Sequence, residues 1–131
     1  MLAPLSRRTV FVVGVLLGLA IWLFPATFLG QSEPWDGDRP WYGLALLLSG
    51  LLLGYLGAAH SFAAVTGTFA GQLVVLLGRV IGSPENSALW PVGVVFLAGY
   101  TFVATGLGAV LGTVLRRRLA PVPRGGDRRS G

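Results

Sequence analysis

Charge is scarce in this 131-residue chain: Asp, Glu, Lys and Arg make up 11% of it, against about a quarter in an ordinary soluble domain. So few ionic groups cannot coat a water-facing surface of this size, which excludes a soluble globule and leaves the lipid bilayer as the matching solvent. Cysteine is absent, which excludes disulfides, thiol redox chemistry and cysteine metal sites. Histidine occurs once, as His60, so the paired imidazoles that would ligate a membrane haem are missing. No Asp or Glu falls inside an apolar run, and the intramembrane carboxylate of small multidrug transporters is therefore lacking too. Catalysis requires a positioned acid, base or nucleophile, and no charged side chain occupies the apolar stretches. The expectation is a non-enzyme with no catalytic residue, no cofactor and no metal site.

What the chain does contain is apolar: 53% hydrophobic residues with 20 glycines and a mean hydropathy of +0.72. Charges mark the ends of three apolar runs, the middle one long enough for two spans. Residues 9–29 carry none and match the ~20 residues that cross a hydrocarbon core. The uncharged stretch from Pro40 to Gly78 would reach nearly 60 Å as one helix at ~1.5 Å per residue, twice the bilayer, so it must fold back. The small, mildly polar segment from Gly57 to Ser61 is the place, giving spans over 41–58 and 62–81. So tight a turn predicts that these two helices are antiparallel neighbours. A fourth span over 90–115 stops at Arg116-Arg117-Arg118. The predicted fold class is all-α, an integral membrane four-helix transmembrane bundle over residues 1–119. The segment 120–131, rich in Arg, Pro and Gly, reads as a disordered tail.

Orientation follows from arginine. All ten basic residues are Arg, with no Lys, and eight of them flank the termini: Arg7, Arg8, Arg116, Arg117, Arg118, Arg124, Arg128 and Arg129. The positive-inside bias then places the N- and C-termini in the cytoplasm of a cell inner membrane. Trp35, Trp41 and Trp90 fall at the outer interface, where amphipathic rings concentrate. A basic composition of this kind implies anionic lipid at the C-terminal arginines rather than nucleic acid. Ser6-Arg7-Arg8-Thr9 faintly resembles an export signal, but the apolar run is long and no small-residue cleavage site follows, so an uncleaved first helix is expected. The outer loop from Gln31 to Pro40 has a turn signal at Asp36-Gly37. Its Glu33, Asp36 and Asp38 are too few for a hard-cation site.

Inside the runs the small residues are informative, because membrane helices associate by close backbone approach. On a helical wheel Ala64, Gly67, Gly71, Gly78 and Gly82 share one stripe of the third helix with His60, opposite Phe62, Phe69 and Leu76. Gly50 and Gly54 lie on a stripe of the second, Gly108 and Gly112 on one of the fourth, and Gly14 and Gly18 are spaced alike on the first. These eight glycines are the expected packing positions. Pro25 should kink the first helix near Trp22. His60, Thr68, Gln72, Thr101 and Thr105 are the polar candidates. His60 is expected at headgroup depth, while Gln72 lies deeper and requires a partner such as the hydroxyl of Thr101 or Thr105. The leading expectation is an accessory, assembly or homo-oligomeric component of the membrane, partnered by lipid, by copies of itself or by another membrane protein. The rival is a small transporter or channel subunit whose polar path follows helices three and four.

Overall fold

The computed structural model describes residues 3–29, 40–58, 60–86 and 88–120. Its described residues form four α-helices and no strand: α1 Arg7–Phe24, α2 Trp41–Gly57, α3 Ser61–Gly82 and α4 Trp90–Leu119. Three of them, α1, α3 and α4, are long and apolar enough to cross a membrane. The fourth, α2, has 17 residues, about 25 Å of helix. The Asp36-Gly37 turn, Trp35, the acidic loop residues and the tail arginines Arg124, Arg128 and Arg129 lie outside the described residues.

Local chemistry sets the helix ends. Ser6 caps α1, its Oγ accepting the Thr9 N–H at 3.2 Å, as a hydroxyl just before a helix should. At the other end Pro25 has no N–H to return to a carbonyl one turn back. The backbone widens there into a π-helical turn, Pro25–Leu29, which re-routes the unsatisfied carbonyls. At the end of α2, Ala58 turns the chain with a φ of 52° while its N–H still bonds Gly54 O at 3.0 Å. Proline in the first turn opens α4, where its missing donor costs nothing.

The packing order differs from the expected one. The tight turn joins α2 to α3 at one end only, and their mutual contact is slight. The extensive contacts are α2 along α4 and α1 along α3, followed by α3 with α4. Both dominant pairs are parallel. Phe11 and Val15 of α1 face Gly67 and Gly71 of α3 in ascending order, and Leu47 and Leu51 of α2 face Gly108 and Gly112 of α4 likewise. Glycine spacing overrides chain proximity because backbones can approach closely only where stripes of small residues meet.

Two apolar clusters stack along the bundle. Near the arginine-bearing ends, Val10, Leu53, Ala63 and Ala64 pack together with Val13 and Leu17 at their edge. Towards the far end, Ile21, Trp22, Tyr42, Leu46, Leu76 and Leu97 form the second cluster, flanked by Trp41 and Phe69. Two residues placed on the outer side of the α3 wheel therefore turn inward. Leu76 is buried, and Phe69 meets Phe102 edge-on at 5.9 Å. Phe62 does face outward, 69% exposed.

Candidate functional site

Gln72 is fully buried beside Trp22 and Tyr42 of the second cluster, and each of the other three helices sends it a polar group. Trp22 of α1 donates its indole N–H to Gln72 Oε1 at 3.1 Å. Tyr42 of α2 donates its hydroxyl to the same oxygen at 2.6 Å. Gln72 Nε2 in turn donates to Thr101 Oγ1 of α4 at 2.9 Å and to Thr68 O, one turn back on α3, at 3.3 Å. A side-chain amide has two acceptor and two donor positions, and all four are used. An indole N–H can only donate, so the oxygen must face Trp22 and the nitrogen Thr101. The chemistry of its neighbours thus sets the orientation of this amide.

The knot is braced from outside. The Arg79 guanidinium lies 5.2 Å from the Trp22 ring centroid, a cation–π geometry. Tyr42 stacks on Tyr100 of α4 at 5.3 Å. Among the other polar candidates, Thr68 donates its hydroxyl to Ala64 O at 2.9 Å, a bond within its own helix. Thr105 is fully buried and its hydroxyl has no hydrogen-bond partner. His60 sits in the α2–α3 turn, partly exposed. The structure therefore brings Gln72, Thr68 and Thr101 into one network and leaves Thr105 and His60 out of it.

Sequence reasoning missed Trp22 and Tyr42 as members of this network. A signal was present for Trp22: of the four tryptophans it is the one deep within an apolar run, where its N–H must find an acceptor. Tyr42 was masked by its neighbour Trp41, which reads as an interfacial anchor.

All eight packing glycines sit against a facing backbone. A Cβ on Gly18 would collide with Thr68 O, and one on Gly14 would crowd Thr68 N at 3.0 Å. On the partner helix Gly67 meets Phe11 O and Gly71 meets Val15 O. The second pair repeats the device, with Gly50 against Thr105 O, Gly54 against Ala109 O, Gly108 against Leu47 O and Gly112 against Leu51 O. Gly78 and Gly82, on the same wheel stripe as Gly71, would meet nothing within 4 Å. Their place on the stripe carries no contact.

At the arginine end, Arg116 reaches across from α4. Its Nη1 donates to Tyr55 O at 2.8 Å and Leu56 O at 3.1 Å, capping the last carbonyls of α2, where a cation is favoured. Leu5 N–H also bonds Leu56 O, at 2.9 Å. Arg7, Arg8, Arg117 and Arg118 are exposed around the same end. Among the described residues no group of His, Cys, Asp and Glu is arranged to hold a metal ion. Comparison with protein-family models, curated proteins and solved structures finds no match to this chain.

Proposed function

We propose that the chain is a multi-pass protein of a bacterial inner membrane, with four spans, both termini cytoplasmic, and a non-enzymatic role as an accessory, assembly or homo-oligomeric component. The membrane reading is supported by apolar side chains that point outward along every helix, among them Leu16, Leu48, Val74, Val103 and Leu107. The arginines gathered at one end support the orientation, through the positive-inside bias. Arg117 and Arg118 are free of the cap that Arg116 makes, and they offer charge to anionic headgroups.

The observation that carries the scaffold reading over the transport reading is the saturation of Gln72. A polar path needs side chains whose hydrogen-bonding capacity is open to a passing solute. Here the amide is filled by four partners, and Thr68, Gln72, Thr101 and Thr105 each have 0% exposure. A group so enclosed holds helices together. Topology is the experiment that tests the membrane reading: a reporter active only outside the cytoplasm, fused after Arg118, stays silent, and activity there removes the four-span orientation. Function is tested by purification in mild detergent, where a complex of definite stoichiometry is expected. Solute flux from liposomes that disappears in Gln72→Leu would instead establish transport.

A further inference from the structure

The far half of the α2–α4 pair holds a feature that the polar knot does not use. A groove of about 870 Å³ opens there, lined by Pro40, Gly43 and Leu47 on the α2 side and by Phe96, Gly99, Tyr100 and Leu107 among the α4 residues. Its volume lies within the ~300–1,000 Å³ of clefts that bury a small molecule. The cause of the opening is visible in the sequence of contacts along the pair. Towards the arginine end, Gly50, Gly54, Gly108 and Gly112 bring the two backbones together. Towards the far end the Tyr100 ring stands between the helices, stacked on Tyr42, and its hydroxyl lies 2.9 Å from where a Gly43 Cβ would be. Glycine closes one half and tyrosine wedges the other apart.

We infer that this groove holds one hydrocarbon chain of a membrane lipid from the leaflet opposite the arginines. The inference rests on the membrane reading above. Depth selects the occupant. The groove begins at Pro40, the residue before α2, and runs on α4 from Val95 to Leu107, about 18 Å of helix at 1.5 Å per residue. That is close to one leaflet of a ~30 Å hydrocarbon core. The glycine contacts below Leu47 and Leu107 shut it at mid-depth. A transmembrane helix of a partner or of a second copy needs a contact surface running the full thickness, whereas an acyl chain entering from one side ends where this groove ends. The lining is hydrocarbon apart from the Tyr100 hydroxyl and backbone, which suits a chain and offers nothing to a polar solute. Gly99 completes the fit: a Cβ there would meet no atom within 4 Å, so its hydrogen leaves open space in the groove.

The test uses the full-length protein purified in mild detergent, exposed to vesicles of palmitoyl-oleoyl phosphatidylglycerol and examined by native mass spectrometry. Gly99→Leu fills the groove without a backbone clash. Val103→Phe, on another lining residue that is 64% exposed, fills it independently should the first variant fail to assemble. Gly93→Leu is the control, since a Cβ there also meets nothing within 4 Å and the position does not line the groove. Wild type and Gly93→Leu should retain one lipid per chain, and the groove-filling variants should lose it roughly tenfold, as overlap replaces several methylene contacts. Equal retention in all four proteins overturns the inference, and so does equal loss in Gly93→Leu. A dimer mass in wild type that Gly99→Leu abolishes also overturns it, by assigning the groove to a second copy. Alkaline carbonate extraction separates the two readings. A chain released from membranes refutes the membrane reading itself, whereas a chain that stays and binds no lipid refutes only the groove.

Discussion

Near the arginines, α1 meets α3 and α2 meets α4 through glycine hydrogens set against carbonyl oxygens, whereas at the far end the same helices meet through indole, phenol and amide groups gathered on Gln72. The first contact is backbone on backbone, with no rotamer to lose and weak Cα–H···O attraction available at close range. The second depends on directional hydrogen bonds whose partners, left alone in an apolar interior, would each be costly. The two parallel pairs are joined to each other mainly where α3 meets α4, since α1–α2 and α2–α3 contacts are slight. Gln72 adds a polar connection at that seam, because its four bonds reach α1, α2, α4 and its own helix. The same contrast accounts for the lateral groove, which opens where tyrosine takes over from glycine.

The largest expected effect is at the glycines. Gly71→Leu or Gly54→Leu drives a side chain into a carbonyl of the facing helix, and over-packing in a site unable to yield should cost about 3 kcal/mol or more. Gly78→Leu, on the same stripe of α3 but with open space around it, should change stability by less than about 0.5 kcal/mol, a typical limit for surface substitutions. Thermal unfolding of the variants in one detergent checks this, and a similar loss in Gly78→Leu would break the distinction between occupied and unoccupied stripe.

Next comes the knot. Gln72→Leu strands the Trp22 and Tyr42 donors, and stranded buried groups cost ~1–3 kcal/mol each in water-soluble proteins. Partner-seeking in the membrane-embedded unfolded state reduces this, so a net loss of about 2 kcal/mol is expected. Thr105→Val removes a hydroxyl that has no partner and should be neutral or stabilising by up to ~1 kcal/mol. Unfolding midpoints read both, and a Thr105→Val loss as large as that of Gln72→Leu would show that the Thr105 hydroxyl has a partner in the folded protein.

A smaller effect is expected at the α2 terminus. Arg116→Gln gives up a charge-assisted cap on two carbonyls and should lower stability by about 1 kcal/mol. Arg117→Gln, whose side chain is exposed, should leave stability unchanged within ~0.5 kcal/mol. Equal unfolding midpoints for the two variants would remove the cap from the account.

The four helices were legible because charge bounds the apolar stretches, and the one from Pro40 to Gly78 is too long for a single crossing and folds back at its small residues. Pro25 likewise announced a break through its own backbone chemistry, whereas the cap at Ser6 was not read from the sequence. The pairing of parallel helices was not legible from any one stripe, since a glycine stripe shows that something approaches and not which helix does. Gly78 and Gly82 illustrate the limit: they share the wheel stripe of Gly71, yet a Cβ on either would meet nothing within 4 Å. Gln72 was recognisable as a buried amide in need of an acceptor or donor on α4. Trp22 and Tyr42 were not recognised as its donors, because each also suits a purely apolar or interfacial role.

The central claim is that the polar side chains of the core hold helices together and face no water. The natural absence of cysteine makes one measurement decisive. Thr68→Cys, Thr101→Cys and Thr105→Cys, each introduced singly, are reconstituted in liposomes beside Leu119→Cys, an exposed residue at the arginine end, and treated from both sides with a membrane-impermeant maleimide. The account predicts rapid labelling at position 119 and none at 68, 101 or 105 until the protein is unfolded in sodium dodecyl sulfate. Labelling of Thr68→Cys or Thr101→Cys in the intact bilayer at a rate approaching that of Leu119→Cys would contradict it and reveal a water-filled path.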